Sequence, residues 1–251
     1  DGAAVTRYSY TRAPDGPAPL GMIVLQTDET LEGDLRRMLP ADAPLYVSRV
    51  PSGADVTPES LRAMSGHLTQ AAGLLPQALP YAAIGYGCTS ATAQIGAGQV
   101  AALIGAGVRT ARVTDPLTAL IAACAALGIT RLGFLSPYTA DVSDRLRAAL
   151  AEAGIATPVF GSFDEANEAS VVRIDAASVI DAACDLAGQG GVQAVFLSCT
   201  NLRTLDVIDA VEAATGLPCL SSNQALGWHL GMAIGRQCAI PGRLGALAGA
   251  P

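Results

Sequence analysis

The strongest constraint on how this chain can fold is a repeat. The segments AIGYGCTSATAQIG (83–96) and AVFLSCTNLRTLDVI (194–208) both run from apolar residues into a cysteine followed by small hydroxyl or amide side chains. Upstream, LGMIVLQTDETLEGDLRRML returns as LGFLSPYTADVSDRLRAAL at 132–150. Gly21 and Gly133 are 112 residues apart and Cys88 and Cys199 are 111 apart. Two independent landmarks with nearly one period indicate an internal duplication.

Each copy predicts alternating strands and helices. A buried strand ending near Leu25 leads through a polar turn into a helix with acidic residues in its first turn and Arg36 and Arg37 in its last. A short strand follows (PLYVSRV, or ASVVRI in the second copy), then a helix (TPESLRAMSGHLTQAAGLL, or DAASVIDAACDLAGQ), then the strand that ends at the cysteine. Beyond each cysteine come a helix (SATAQIGAGQVAALIGAG; NLRTLDVIDAVEAAT), a short strand and a last helix. Strands alternating with helices mean parallel sheets covered on both faces. The expected fold class is therefore α/β: two pseudo-symmetric Rossmann-like lobes with parallel four-stranded sheets and a site in the cleft between them. The expected boundaries are an extended arm over 1–19, a first lobe over 20–130 and a second over 131–251. Helices near 115–130 and 222–236 are expected to cross between lobes.

Composition narrows the partners. Of 251 residues about half are apolar, the formal net charge is −7 and the 15 basic residues are spread thinly. No basic stripe exists to neutralise phosphates or an anionic bilayer, so no nucleic acid and no membrane is expected as a partner. No apolar run approaches the ~20 residues of a transmembrane span, and the first residues lack the order of a signal peptide. The cytoplasm is the expected location. Six cysteines without a C-x-x-C pair and only two histidines, His67 and His229, argue for reduced thiols and no metal site. An apolar, Ala-rich surface suggests a homodimer or higher homo-oligomer.

In open parallel sheets, ligands bind beyond the carboxyl ends of the strands. Cys88 and Cys199 lie at such ends, and pseudo-twofold symmetry would face them across one cleft. A thiol at a helix N-terminus meets free N–H groups and the positive end of the helix dipole, which predicts a depressed pKa at both positions. Thr89, Ser90, Thr200 and Asn201 add donors that suit a carboxylate, and Gly85 and Gly87 would bring backbone close to it. Two facing thiols can remove a proton from one face of a carbon acid and deliver one to the other, inverting a stereocentre. A thiolate can alternatively add to an activated double bond, allow rotation and leave. A bilobed binding protein without turnover is the reading from another class.

The two cysteine motifs, GYGCTSATAQIG and LSCTNLRTLDVIDAVEAATGLPCLSSNQALGWHL, resemble the aspartate/glutamate racemase superfamily over residues 20 to 236. Within it the chain looks like the branch of maleate cis-trans isomerases, arylmalonate decarboxylases and the racemase-like proteins of ectoine utilisation. The resemblance implies cofactor-independent chemistry on a small carboxylic acid between the cysteines. Cys88 would be the nucleophile and Cys199 the proton donor or acceptor. Tyr138 in FLSPYTADV would bind carboxylate oxygens, and Asn167 in FDEANEASVV matches a later asparagine of the family. The isomerases carry a Pro-Ser-Ser-Asn type loop after the first strand, where this chain reads LQTDET with Thr27 and Asp28. An acid there repels a carboxylate and favours a cationic or hydroxylated substrate part, or else caps the following helix. The arylmalonate decarboxylases resembled lack the first cysteine, which this chain has.

Other signals carry less. GAGQVA (96–101) matches a dinucleotide-binding pattern but falls inside a predicted helix. His229 and Trp228 read as packed or interface side chains, His67 as solvated, and Arg203 as a candidate anion contact.

Overall fold

The computed structural model describes residues 5–247, and two parallel four-stranded sheets organise them. The first contains β1 (Leu20–Leu25), β2 (Leu45–Val50), β3 (Ala83–Gly87) and β4 (Val113–Thr114). The second contains β5 (Arg131–Ser136), β6 (Ala156–Ser162), β7 (Ala194–Leu197) and β8 (Cys219–Ser221). Their orders, β2-β1-β3-β4 and β6-β5-β7-β8, are the same, and every pairing is parallel. The duplication in sequence is thus a duplication in topology. Strands β1, β3 and β7 are buried along their whole length, which is why LGMIVL, AIGYG and AVFL are unbroken runs of apolar and small residues rather than alternating ones.

The helices of the first half are α1 (Leu31–Met38), α2 (Pro58–Ala63), α3 (Leu68–Gly73), α4 (Thr89–Ile95), α5 (Ala97–Gly107) and α6 (Pro116–Leu127). Those of the second are α7 (Ala140–Glu152), α8 (Glu168–Val171), α9 (Ala176–Gly188), α10 (Ile208–Thr215), α11 (Ser222–Ile234) and α12 (Gly242–Leu247). Two helices are exchanged between the sheets. Leu117, Leu120, Ala123 and Cys124 of α6 pack with Phe134, Phe196 and Leu220 of the second sheet. In return α11 lies on the first: Leu226 approaches Gly85, and Gly227 lets Met38 of α1 sit against the helix backbone. Both exchanged helices start on a side-chain cap, Asp115 for α6 and Ser221 for α11.

Several local expectations give way. The run expected as one helix over 57–75 breaks into α2, a 3-10 turn at Met64–His67, and α3. The helix expected after Cys88 divides at Gly96, whose φ of 96° ends α4 before α5 begins. ASVVRI is not a strand: the Asn167 side chain accepts from the Ala169 N–H at 3.0 Å and starts α8 there. The second edge strand is instead ATPVFGS, whose Pro158 is compatible with an edge position. The helix expected directly after Cys199 starts only at Ile208. Gly85 and Gly87 face packing rather than ligand, since a Cβ at Gly87 would lie 2.4 Å from Leu31. Residues 5–18 of the expected arm are exposed and outside helices and strands, while residues 1–4 and 248–251 lie outside the described residues. No helix among the described residues is long and apolar enough to cross a membrane.

Candidate active site

In a sheet of order 2-1-3-4, the chain turns to opposite sides between its two central strands, and ligands bind outside that crevice. Both crevices open onto one pocket. Its walls are Leu25, Thr27 and Asp28 after β1, Cys88, Thr89 and Ser90 after β3, Tyr138 after β5, Cys199, Thr200 and Asn201 after β7, and Glu168 at the start of α8. In this state the enclosed space is about 10 Å³, room for about one water molecule.

The two cysteines reach the pocket differently. Cys88 is the N-cap of α4, with extended backbone, and its sulfur accepts from the Ala91 N–H at 3.3 Å. Cys199 lies in a loop at φ 95°, a left-handed region that a side-chain-bearing residue rarely occupies. Three bonds hold it there. Its N–H donates to Ser222 Oγ at 3.1 Å, its sulfur accepts from the Asn201 N–H at 3.3 Å, and its sulfur lies 2.8 Å from the Tyr138 hydroxyl. The Thr89 hydroxyl also donates to Ser222 Oγ, at 2.8 Å, so one buried serine links both cysteine loops.

The depressed thiol pKa values expected from sequence are corrected by this burial. Desolvation pushes Cys88 up to about 12 and Cys199 well above the ordinary thiol range, and the Glu168 and Asp28 carboxylates raise both further. N–H groups pull the other way at Cys88, from Ala91 and Ser90, and are outweighed. At Cys199 the helix-dipole argument does not apply, because no helix starts there.

Glu168 is the residue that sequence reading missed. It is 5% exposed, accepts from Tyr138 Oη at 2.7 Å through Oε1, and accepts from Asn201 Nδ2 at 2.9 Å through Oε2. Burial raises its pKa, against the lowering by Asn201 and Tyr138. Because Tyr138 gives its proton to the carboxylate, its oxygen is left to accept from the Cys199 thiol, a directed chain from sulfur to acid. Asn167, the residue matched in its place, does not line the pocket: its Oδ1 caps α8 and its Nδ2 reaches Asp55 at 3.3 Å. The only sequence signal for Glu168 was its place beside Asn167.

Asp28 stands both at the entry to α1 and in the pocket wall. Its Oδ1 accepts from the Thr30 and Leu31 N–H groups at 2.8 Å each, at the entry to α1, while its Oδ2 is buried without a partner. Burial lifts its pKa to about 6, with the Glu168 charge adding to the rise. The Thr200 hydroxyl beside it, which with the Leu31 and Thr30 N–H groups counters part of that rise, donates to the Gly87 carbonyl at 3.2 Å. Thr27 pairs with Ser52, and Asn201 Oδ1 accepts from the Glu29 N–H, so these side chains are partly committed to structure. Arg203 lies off the pocket with Nε on the Val172 carbonyl, and His229 pairs with Thr114 at 2.7 Å. Among the described residues no group of three or more His, Cys, Asp or Glu is arranged to hold a metal ion.

The family model described as arylmalonate decarboxylase matches residues 90–245, more than half of the chain. The arylmalonate decarboxylase of Bordetella bronchiseptica is 32% identical over 214 residues, covering 83% of this chain and 87% of that protein. The chain belongs to the arylmalonate decarboxylase family. The maleate isomerase of Nocardia farcinica is 24% identical over 235 residues, covering 89% of this chain and 92% of that protein. A variant of arylmalonate decarboxylase, with one glycine exchanged for cysteine and one cysteine for serine, superposes with a TM-score of 0.79 at 26% identity. It covers 90% of this chain and 98% of that one. The Nocardia isomerase, in a cysteine-to-serine variant with a covalently bound succinylcysteine intermediate, superposes with a TM-score of 0.78 at 22% identity, covering 93% and 99%. That likeness shows a shared fold. The family match starts at residue 90 and so includes Cys199 but not Cys88.

Proposed function

We propose that the chain is a cofactor-independent isomerase or racemase for a small carboxylic acid, ectoine-derived or amino-acid-like, worked by Cys88 and Cys199. The observation that carries this reading is that both thiols line one pocket from opposite sheets. The remaining details give the thiols unequal parts. Cys199 is the proton-bearing member, donating toward Tyr138, which donates to Glu168. Cys88, which alone of the two stands at a helix start, with the Ala91 and Ser90 N–H groups working against burial, is the one suited to become the thiolate. In racemisation Cys88 removes the α-proton, the C–H pair becomes the enediolate, and Cys199 returns a proton to the opposite face. The protons have then changed places, and the reverse direction starts from the other sulfur. In geometric isomerisation of an enoate such as maleate, the Cys88 thiolate adds to the double bond while Cys199 supplies the proton, and elimination reverses both after rotation.

A decarboxylase reading is favoured by the family match and the Bordetella relative. There the C–C bond to a departing carboxylate supplies the electrons, and Cys199 alone protonates the product. The readings separate on Cys88. Incubation in deuterated water with maleate, aspartate, glutamate, hydantoins, hydroxyectoine and aryl- and alkylmalonates tests them together. Deuterium at the α-carbon with inversion, or a changed double-bond geometry, lost in both Cys88→Ser and Cys199→Ser, is expected. Carbon dioxide release from a malonate that survives Cys88→Ser would establish the decarboxylase instead. Ligand binding without turnover, unchanged by either substitution, would leave a binding protein.

A further inference from the structure

The pocket contains two buried carboxylates and, among the described residues, no cationic side chain. Asp28 is 5% exposed and its Oδ2 has no hydrogen-bond partner. Arg49 is attached to the same loop, but its Nη1 donates to the Leu25 and Asp28 carbonyls and not to the carboxylate. Across the pocket, each oxygen of Glu168 receives one donor, and a carboxylate has about four acceptor positions. An uncompensated carboxylate is expensive to bury, and two in one small cavity repel. A wall of this kind discriminates against a second carboxylate on the ligand and in favour of positive charge.

We propose that Asp28 and Glu168 form a cation subsite, which holds an ammonium or amidinium group of the substrate while the cysteine loops hold its carboxylate. The inference rests on the reading of this pocket as the substrate site and narrows the substrate to small zwitterions. It makes Asp28 and Glu168 specificity-determining, with Asp28 supplying the open acceptor. It also links binding to reactivity. The same two charges raise both thiols, so a bound cation that offsets them makes the Cys88 thiolate easier to form where substrate is present.

The test uses matched probes that differ only in the sign of one end: 3-aminopropanoate against succinate, and 4-aminobutanoate against glutarate. Affinity is measured by calorimetry at about pH 8, where Asp28 is ionised, for the full chain and for D28N and E168Q. Making or breaking one charge-assisted hydrogen bond changes affinity about tenfold or more. The amino acids are expected to bind at least about tenfold more tightly than the diacids, and D28N to lower their affinity while raising that of the diacids. E168Q serves the same purpose if D28N does not fold. Tighter binding of the diacids to the unaltered chain, a preference that neither substitution moves, or no binding of any probe overturns the proposal. Deuterium exchange reads the isomerase proposal separately: a cation preference that persists without exchange would sink that reading alone.

Discussion

Replacing Glu168 with glutamine removes one charge and almost no volume, so its effect on Cys199 can be worked from the geometry. The bonds from Glu168 Oε1 to Tyr138 Oη and from there to the sulfur are 2.7 and 2.8 Å. In series they place the carboxylate oxygen within about 5.5 Å of the thiol, where a unit charge at an effective dielectric of about 20 contributes about 3 kcal/mol. Removing it should raise the thiolate fraction of Cys199 at fixed pH about a hundredfold. The assay is alkylation by iodoacetamide as a function of pH in a Cys88→Ser background, with peptide mass spectrometry at Cys199. The pocket entrance is common to both proteins, so the ratio of rates isolates the charge. A ratio near one, or slower alkylation of the glutamine variant, would refute the electrostatic account and leave Glu168 as a packing residue.

Two further outcomes follow from the same structure. The Asp28 carboxyl has its folded pKa raised from 3.8 to about 6. Its favourable contribution is therefore complete below about pH 4 and is lost as pH rises through about 6, at a cost of about 3 kcal/mol for the ionised form. Asp28→Asn should accordingly be more stable than the unaltered chain at about pH 8 and nearly equal to it at about pH 4 in urea unfolding; a difference that does not change with pH counts against a buried, ionised Asp28. At Cys199, glycine accepts a φ of 95° and alanine does not, while both lack the sulfur. Cys199→Gly should exceed Cys199→Ala in stability by about 1 kcal/mol, and the opposite order would mean that the backbone there relaxes without strain.

The central architecture was legible because it is written in buried strands. β1, β3 and β7 are uninterrupted apolar and small-residue runs, and the nearly constant spacing between copies implies the same lobe twice. Edge strand β6 was not, because an edge needs less burial and tolerates the Pro and Gly that read as loop. Helix lengths failed where one residue decided them: Gly96 interrupts a good helical pattern, and Asn167 converts a strand-like VV pair into the first turn of α8. At the site, Cys88 and Cys199 stand out because each follows a strand end in a repeated motif, whereas Tyr138 and Asp28 are singled out by the family resemblance; all four line one pocket. Glu168 could not be read, since a charged residue in a polar loop reads as solvated until Tyr138 and Asn201 are brought to it from 30 and 33 residues away. The sign of the thiol shifts is a matter of burial against local donors. The donors follow from sequence, whereas the desolvation that outweighs them depends on the closure of the two sheets over the pocket.

The exchange of α6 and α11 has a consequence for how the chain can come apart. A cut near residue 130 would leave α6 with the first fragment and the surface that it covers on the second sheet, around Phe134 and Phe196, bare. The reciprocal loss strips α11 from Gly85 and Met38. Each fragment would thus carry one orphaned helix and one uncovered sheet face, complementary to those of the other. Halves produced separately should be aggregation-prone alone and recombine when mixed, and the half-length ancestor that the repeat implies would have needed a twin from its first appearance.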